Sequence, residues 1–237
     1  MQAIRVTKIT GLTLALALIS SFGVLGVASA TKSTAATTTQ LQAVIKEGDA
    51  KIAKRLTDLD KLTVKINANT KLSATNKDLL AADVSSAKTG LTALKAKLDA
   101  ETDITQAKAD NKLIVTDYRV YLLIVPKINM LKVSDNQITK QAQLLAFANL
   151  LKSAVSESDK STTLMPKVTA MIAGITATQK LSQETQAKLL ALKPSDYNAN
   201  HAVLVSLKKD LQTVQQSNVA AWKQGNAILK ELGVTTN

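Results

Sequence analysis

The sequence predicts an all-α protein: an elongated antiparallel bundle of about five to six helices with coiled-coil-like seams. Three observations carry this. Ala, Leu, Lys and Thr dominate the 237 residues, and Ala, Leu and Lys are strong helix formers. Eight Gly and three Pro leave few breaks, and aromatics are only 3 %, against the habit of strand-rich chains. Apolar residues then recur at steps of three and four over long stretches.

The N-terminus stands apart. "MQAIRVTK" is basic through Arg5 and Lys8, "ITGLTLALALISSFGVLGV" is apolar and uncharged, and "ASA" closes at Ala30. This is the layout of a secretory signal peptide over residues 1–30, cleaved after Ala30. An uncleaved membrane anchor is the alternative, because the run approaches the roughly 20 residues a spanning helix needs. Residues 31–39, rich in Thr and Ala, read as a flexible spacer, and 40–237 as a single bundle domain. Removing residues 1–30 takes away two basic residues and no acid, leaving 28 cations against 18 anions, or +10. The chain has no Cys, so no disulfide can staple it, and the fold must rest on burial, for which about 200 residues suffice.

The first helix is expected over residues 38–69. Leu41, Ile45, Ile52, Leu56, Leu59, Leu62 and Ile66 form one face and lysines the other. The second, over 76–100, has the seam Leu80, Val84, Ala87, Leu91, Leu94, Leu98, a heptad for packing on another helix. The short connection makes the pair an antiparallel hairpin. A third helix opens at Asp103, with Gln106 at capping-box spacing. It runs into "DYRVYLLIVPKINML" (117–131), apolar on every face over 120–125, which predicts a helix in the middle of the bundle, kinked or restarted at Pro126. A strand over 120–125 is the other reading. A fourth helix follows from Pro126 to Val155, with core face Leu131, Ile138, Leu145, Phe147 and Leu151. A fifth starts near Thr162 with Pro166 in its first turn. The last, over 199–232, carries Leu204, Leu207, Leu211, Val214, Ala221, Gly225, Ile228 and Leu232, then Gly233 as its stop.

One stretch recurs: "INANTKLSATNKDLLA" (66–81) and "ITATQKLSQETQAKLLA" (175–191). Each reads as a helix–turn–helix joint, with Ser73 or Thr75 and Ser182 as caps and Leu72 and Leu181 tucked beneath. An ancient hairpin duplication or a shared ligand site would also produce such a match.

Catalytic chemistry is sparse. The one histidine, His201, stands without Cys or paired acids and reads as exposed or capping. Asp58/Asp60, Glu101/Asp103 and Glu157/Asp159 are spaced i,i+2 and so do not share a helix face. Phosphate-cradling, dinucleotide and metalloprotease motifs are missing. No catalytic residue, cofactor or metal ligand is therefore expected, and the chain is not read as an enzyme. The positive charge invites an anionic partner. Only Arg55 and Arg119 remain after residue 30, which argues against nucleic acid, where Arg serves planar phosphate recognition. An anionic cell-wall polymer or a membrane surface fits better, and homo-oligomers could form through the seams. The candidate interaction residues are Tyr118, Arg119, Tyr121 and Trp222. Their bland reading is packing, with Arg119 paired to Asp117 or Asp110. Their sharper reading is a groove for a ligand or partner peptide.

The signal layout, the "KLS" turn, the Asp117–Tyr118–Arg119–Val120–Tyr121–x4–Pro126 run and "PSDYNAN" (194–200) are similar to a group of small secreted all-helical bacterial proteins. The resemblance covers most of residues 31–237 and implies a secreted helical protein without supplying an activity. The expected function is thus a non-enzymatic structural or interaction protein, secreted or held at the cell envelope. The alternative is a weak binding protein for an anionic envelope polymer, a lipid surface or a hydrophobic ligand.

Overall fold

The structure is a computed structural model that describes residues 27–234, with side-chain surroundings from Thr37 onward. The chain divides into two units, 1–39 and 40–237, and the described residues of the first open a helix. The expected leader lies outside the described residues except for its last four positions. Helix α1 spans Val27–Asn67. Residues 31–39, expected as a flexible spacer, fall within that helix: no Gly or Pro interrupts the chain between Val27 and Glu47.

The second unit is an all-helical bundle. Helix α2 spans Ala74–Asp99 and all six predicted seam residues are buried. Its N-cap is Ser73, whose side chain accepts from the Asn76 N–H at 3.3 Å, so the first "KLS" is a helix joint as expected. Lys88 to Asp60 and Lys95 to Asp49 (2.8 Å) tie α2 to α1 in antiparallel register. Helix α3, Ile104–Thr116, is capped by Asp103, whose Oδ1 accepts from the N–H groups of Thr105 (2.7 Å) and Gln106 (2.9 Å).

The break after α3 is not at Pro126. Arg119 adopts the left-handed conformation, φ 41° and ψ 36°, and ends the path of α3. Residues 120–124 then form one π-turn, and α4 spans Val125–Ser156. Pro126 sits in the first turn of α4, where its missing N–H costs no helical bond. Residues 120–125 are thus helical, not extended, but they are not buried on every face. Val120, Leu123 and Ile124 are buried while Tyr121 and Leu122 stay exposed, because the run skirts one edge of the bundle.

Helix α5 spans Ser161–Ala191 without interruption. The second "KLS" therefore makes no joint: Ser182 is buried in mid-helix rather than capping a short one. Pro166 is the sixth residue of α5, in its second turn and not its first. Helix α6, Pro194–Ala199, turns the chain into α7, Val203–Leu232, which stops at Gly233 with φ 83°. Val234 donates to the Leu229 carbonyl across that glycine, closing the end as predicted.

α4, α5 and α7 pack tightly on one another. Asp135 to Gln186 and Gln141 to Ser182 set α4 and α5 antiparallel. Gln137 to Leu211 and Phe147 to Trp222 set α4 and α7 parallel. The interior holds two large apolar clusters. One gathers Ile52, Leu59, Leu80, Leu91, Leu131 and Leu211 with their neighbours. The other gathers Leu151, Val155, Leu164, Val168, Met171 and Ile228. The predicted α4 face is only partly right: Leu131 and Leu151 are buried, but Ile138, Leu145 and Phe147 are half-buried. Between the two clusters the core positions of α4 are Ser134, Asp135, Gln137 and Gln141.

Candidate functional site

The two clusters are separated by a buried polar belt. On α5 the buried positions step 164, 168, 171, 175, 178, 182, 185, 189, an unbroken heptad alternation of four and three. Its middle members are Thr178, Ser182 and Thr185. On α7 the seam 207, 211, 214, 218 reaches Asn218. The geometry is that of a coiled-coil seam that stays in register while its chemistry changes from apolar to polar. Polar groups at such positions fix register at a cost in stability.

Asp135 is the hub of the belt. Only 8 % of its surface is exposed. Its Oδ2 accepts from the backbone N–H of Ser73 at 2.8 Å, and its Oδ1 from Asn76 Nδ2 and Gln186 Nε2, each at 2.8 Å. No lysine or arginine forms an ion pair with it among the described residues. The carboxylate is held by neutral donors, which is how a buried anion without a counter-ion is tolerated. Nearly two turns further along α4, Gln141 is fully buried and its Nε2 donates to Ser182 Oγ at 2.9 Å. Gln137 Nε2 donates to the Leu211 carbonyl at 2.9 Å.

The belt reaches the surface between α4 and α7 in a groove of about 500 Å3. Its apolar wall is Leu144, Val219 and Trp222, and its basic wall is Lys71, Lys132 and Lys140. No Asp or Glu lines it. Unlike Lys54, Lys88, Lys95, Lys97 and Lys127, these three lysines have no carboxylate within ion-pair distance among the described residues. Trp222 marks the apolar end: it is 53 % exposed and lies 5.3 Å from the Phe147 ring. Gly225 makes room for that ring, since a Cβ there would overlap Phe147 Cε1. Two residues that line the groove each bury one polar atom, inaccessible from it, without a hydrogen-bond partner among the described residues: Gln137 Oε1, an acceptor, and Asn218 Nδ2, a donor. Burying such atoms unpaired costs roughly 1–3 kcal/mol each.

The four residues singled out from sequence do not form one site. Tyr118 is half-buried against the larger cluster and lies where a Cβ on Gly90 would stand. Burial, then Asp117, raises its pKa. Arg119 does not pair with Asp117 or Asp110. Its Nε donates to Asn198 Oδ1 at 2.6 Å, its guanidinium lies 5.6 Å from the Tyr197 ring, and Asp110 is taken by Lys97 at 2.7 Å. The left-handed turn at Arg119 is what aims the side chain at α6. Tyr121 points the other way, donating to Asp58 Oδ2 at 2.6 Å on α1, with Arg55 over its ring. That hydroxyl, and after it Lys54, holds the Asp58 carboxyl below its usual range. Only Trp222 lies in the groove. Nothing local in the sequence distinguishes Lys71, Lys132 and Lys140 from the other lysines. The one signal in sequence is the step from Val214 to Ala221 in an otherwise three-and-four seam, which Asn218 fills.

His201 meets the Tyr197 ring edge-on at 5.0 Å, and the described residues contain no cluster of three His, Cys, Asp or Glu able to hold a metal. No described helix is long and apolar enough to cross a membrane. No family model, curated protein or solved structure matches the chain.

Proposed function

We propose that this chain is a secreted or envelope-held, non-enzymatic helical binding protein, and that it takes a ligand with an apolar part in the α4–α7 groove. The observation that carries the reading is the groove itself. It has the size of a small-molecule site, an apolar wall, and a few polar groups converging on it. The exposed Val133, Val219 and Trp222 cluster there instead of being scattered singly. The lysines of α1 and α2 are tied to acids in several places, so attraction for anions concentrates where lysines lack them.

Trp222 is the only tryptophan, so its emission reports the groove without labelling. A neutral apolar dye, N-phenyl-1-naphthylamine, should give emission sensitised by Trp222. Val219→Asp should abolish it while leaving the helical circular dichroism unchanged. No sensitised emission from the unaltered protein contradicts the reading. The secretory part has its own check: the protein recovered from outside the cytoplasm should begin at Thr31.

A further inference from the structure

Charge and apolar surface alternate along the α4–α7 groove. Lys132 lies beside Val133, and Lys140 is about one turn from Leu144, so neither end is purely basic or purely apolar. We propose that the groove seats an acidic amphipathic α-helix of a partner protein. This rests on the reading of the groove as a binding site.

Spacing, backbone chemistry and charge each select that occupant. The lining positions of α4 step 132, 136, 140, 143 and those of α7 step 215, 219, 222, the fours and threes into which another helix packs. From Lys132 to Leu144 α4 rises about 18 Å, room for roughly two heptads. Both walls are helices, whose N–H and C=O groups are already used. An extended peptide laid between them would bury its own backbone groups unpaired, whereas a helix arrives with them satisfied. The exposed Val133, Val219 and Trp222 receive an apolar helix face, and tryptophan is among the best anchors for such a contact. Charge then sets the sign. Lys71, Lys132 and Lys140 are exposed and have no carboxylate within ion-pair distance among the described residues, and no Asp or Glu lines the groove. Lys132 and Lys140 stand about two turns apart along α4, so acids repeated along a helix meet both, where a single anionic head meets one. A second copy of this chain fits less well, because it brings a net charge of +12 to the same lysines.

The test is titration of Trp222 emission in the full chain with two-heptad peptides that lack Trp and Tyr. The first carries Leu at a and d and Glu at e and g. The second replaces each Glu with Lys, and the third keeps the composition of the first with its order scrambled. The Glu peptide should give a saturable blue shift, gain helicity in the circular-dichroism difference spectrum and displace N-phenyl-1-naphthylamine. The Lys peptide should bind about tenfold more weakly, and the scrambled peptide should give no shift. Lys132→Glu with Lys140→Glu should reverse the order of the Glu and Lys peptides. Lys132→Gln with Lys140→Gln, the milder pair, should narrow the gap to about threefold. Thermal melts followed by circular dichroism confirm that each variant is folded. No shift with the Glu peptide, equal binding of either control peptide, a preference unmoved by the lysine substitutions, or a shift without gain in helicity overturns the acidic-helix proposal. Dye binding then leaves the apolar groove standing. A dimer of the unaltered chain that Val219→Asp dissolves gives the groove to a second copy and overturns the proposal as well. Silence of Trp222 toward every peptide and toward the dye overturns both.

Discussion

Residues 66–81 and 175–191 share Ile, Ala, Lys-Leu-Ser and Leu-Leu-Ala, yet one bends the chain between two helices and the other runs straight through α5. The difference lies in what each serine meets. Around the first, Asn67 and Asn69 are poor helix residues, and Asn69 Oδ1 takes the Lys71 N–H at 2.9 Å, stabilising a turn. Asp135 then takes the Ser73 N–H from outside, so the turn has no orphaned donor. Around the second, Thr176 and Thr178 replace the asparagines, and Ser182 accepts from Gln141 without leaving the helix. Both copies nevertheless deliver a side-chain amide to the same atom, Asn76 from one and Gln186 from the other, each 2.8 Å from Asp135 Oδ1. Identical letters do not fix identical backbone. Here they are used to surround one buried carboxylate from two sides.

Substitution at the shared atom should have the largest effect. Asp135→Leu orphans three donors in or beside the core, and the loss expected in urea unfolding is about 3–5 kcal/mol. Asp135→Asn keeps one acceptor oxygen and should cost roughly half as much. A smaller effect separates the two serines. Ser182→Ala leaves Gln141 Nε2 buried without an acceptor, for about 1–2 kcal/mol. Ser73→Ala removes only an N-cap and should cost about 1 kcal/mol. If the two serines cost the same and the loss at Ser182 is only a few tenths, the belt does not hold α4 to α5.

The smallest effect compares cap chemistry. Ser73 does not titrate, whereas Asp103 does, and the N–H groups of Gln106 and Thr105 hold its carboxyl below the usual carboxylate range. A depressed carboxylate contributes stability that is present above its unfolded pKa and lost as pH falls through the folded one. Amide exchange at Thr105 and Gln106 should therefore lose protection below about pH 4. Protection at Asn76 should not change in step with it, and Asp103→Asn should flatten the response at α3.

Apolar periodicity locates the α2 seam, capping-box spacing the Asp103 cap and a lone glycine the Gly233 stop, because each is settled by residues close in sequence. The belt was not legible in that way. Ser134, Gln137, Gln141, Ser182 and Asn218 look like surface residues when polarity is taken as exposure, and only three helices meeting in register bury them. The break lies at Arg119 and not at Pro126 for a related reason. Proline is conspicuous, but it fits a first turn, while the left-handed residue that ends α3 is an arginine with no local signature. Of the groove, Trp222 was visible as a lone large aromatic. Its basic wall draws on a turn before α2 and a face of α4, far apart in the chain.

Asp135 joins the two copies of the repeated stretch into a single buried network. A double-mutant cycle tests this most directly. Asp135→Leu, Gln186→Leu and the pair are compared by urea unfolding. A shared hydrogen bond predicts that the double variant is less damaged than the two singles together, with a coupling of about 1–3 kcal/mol. Losses that add to within about 0.5 kcal/mol would contradict it.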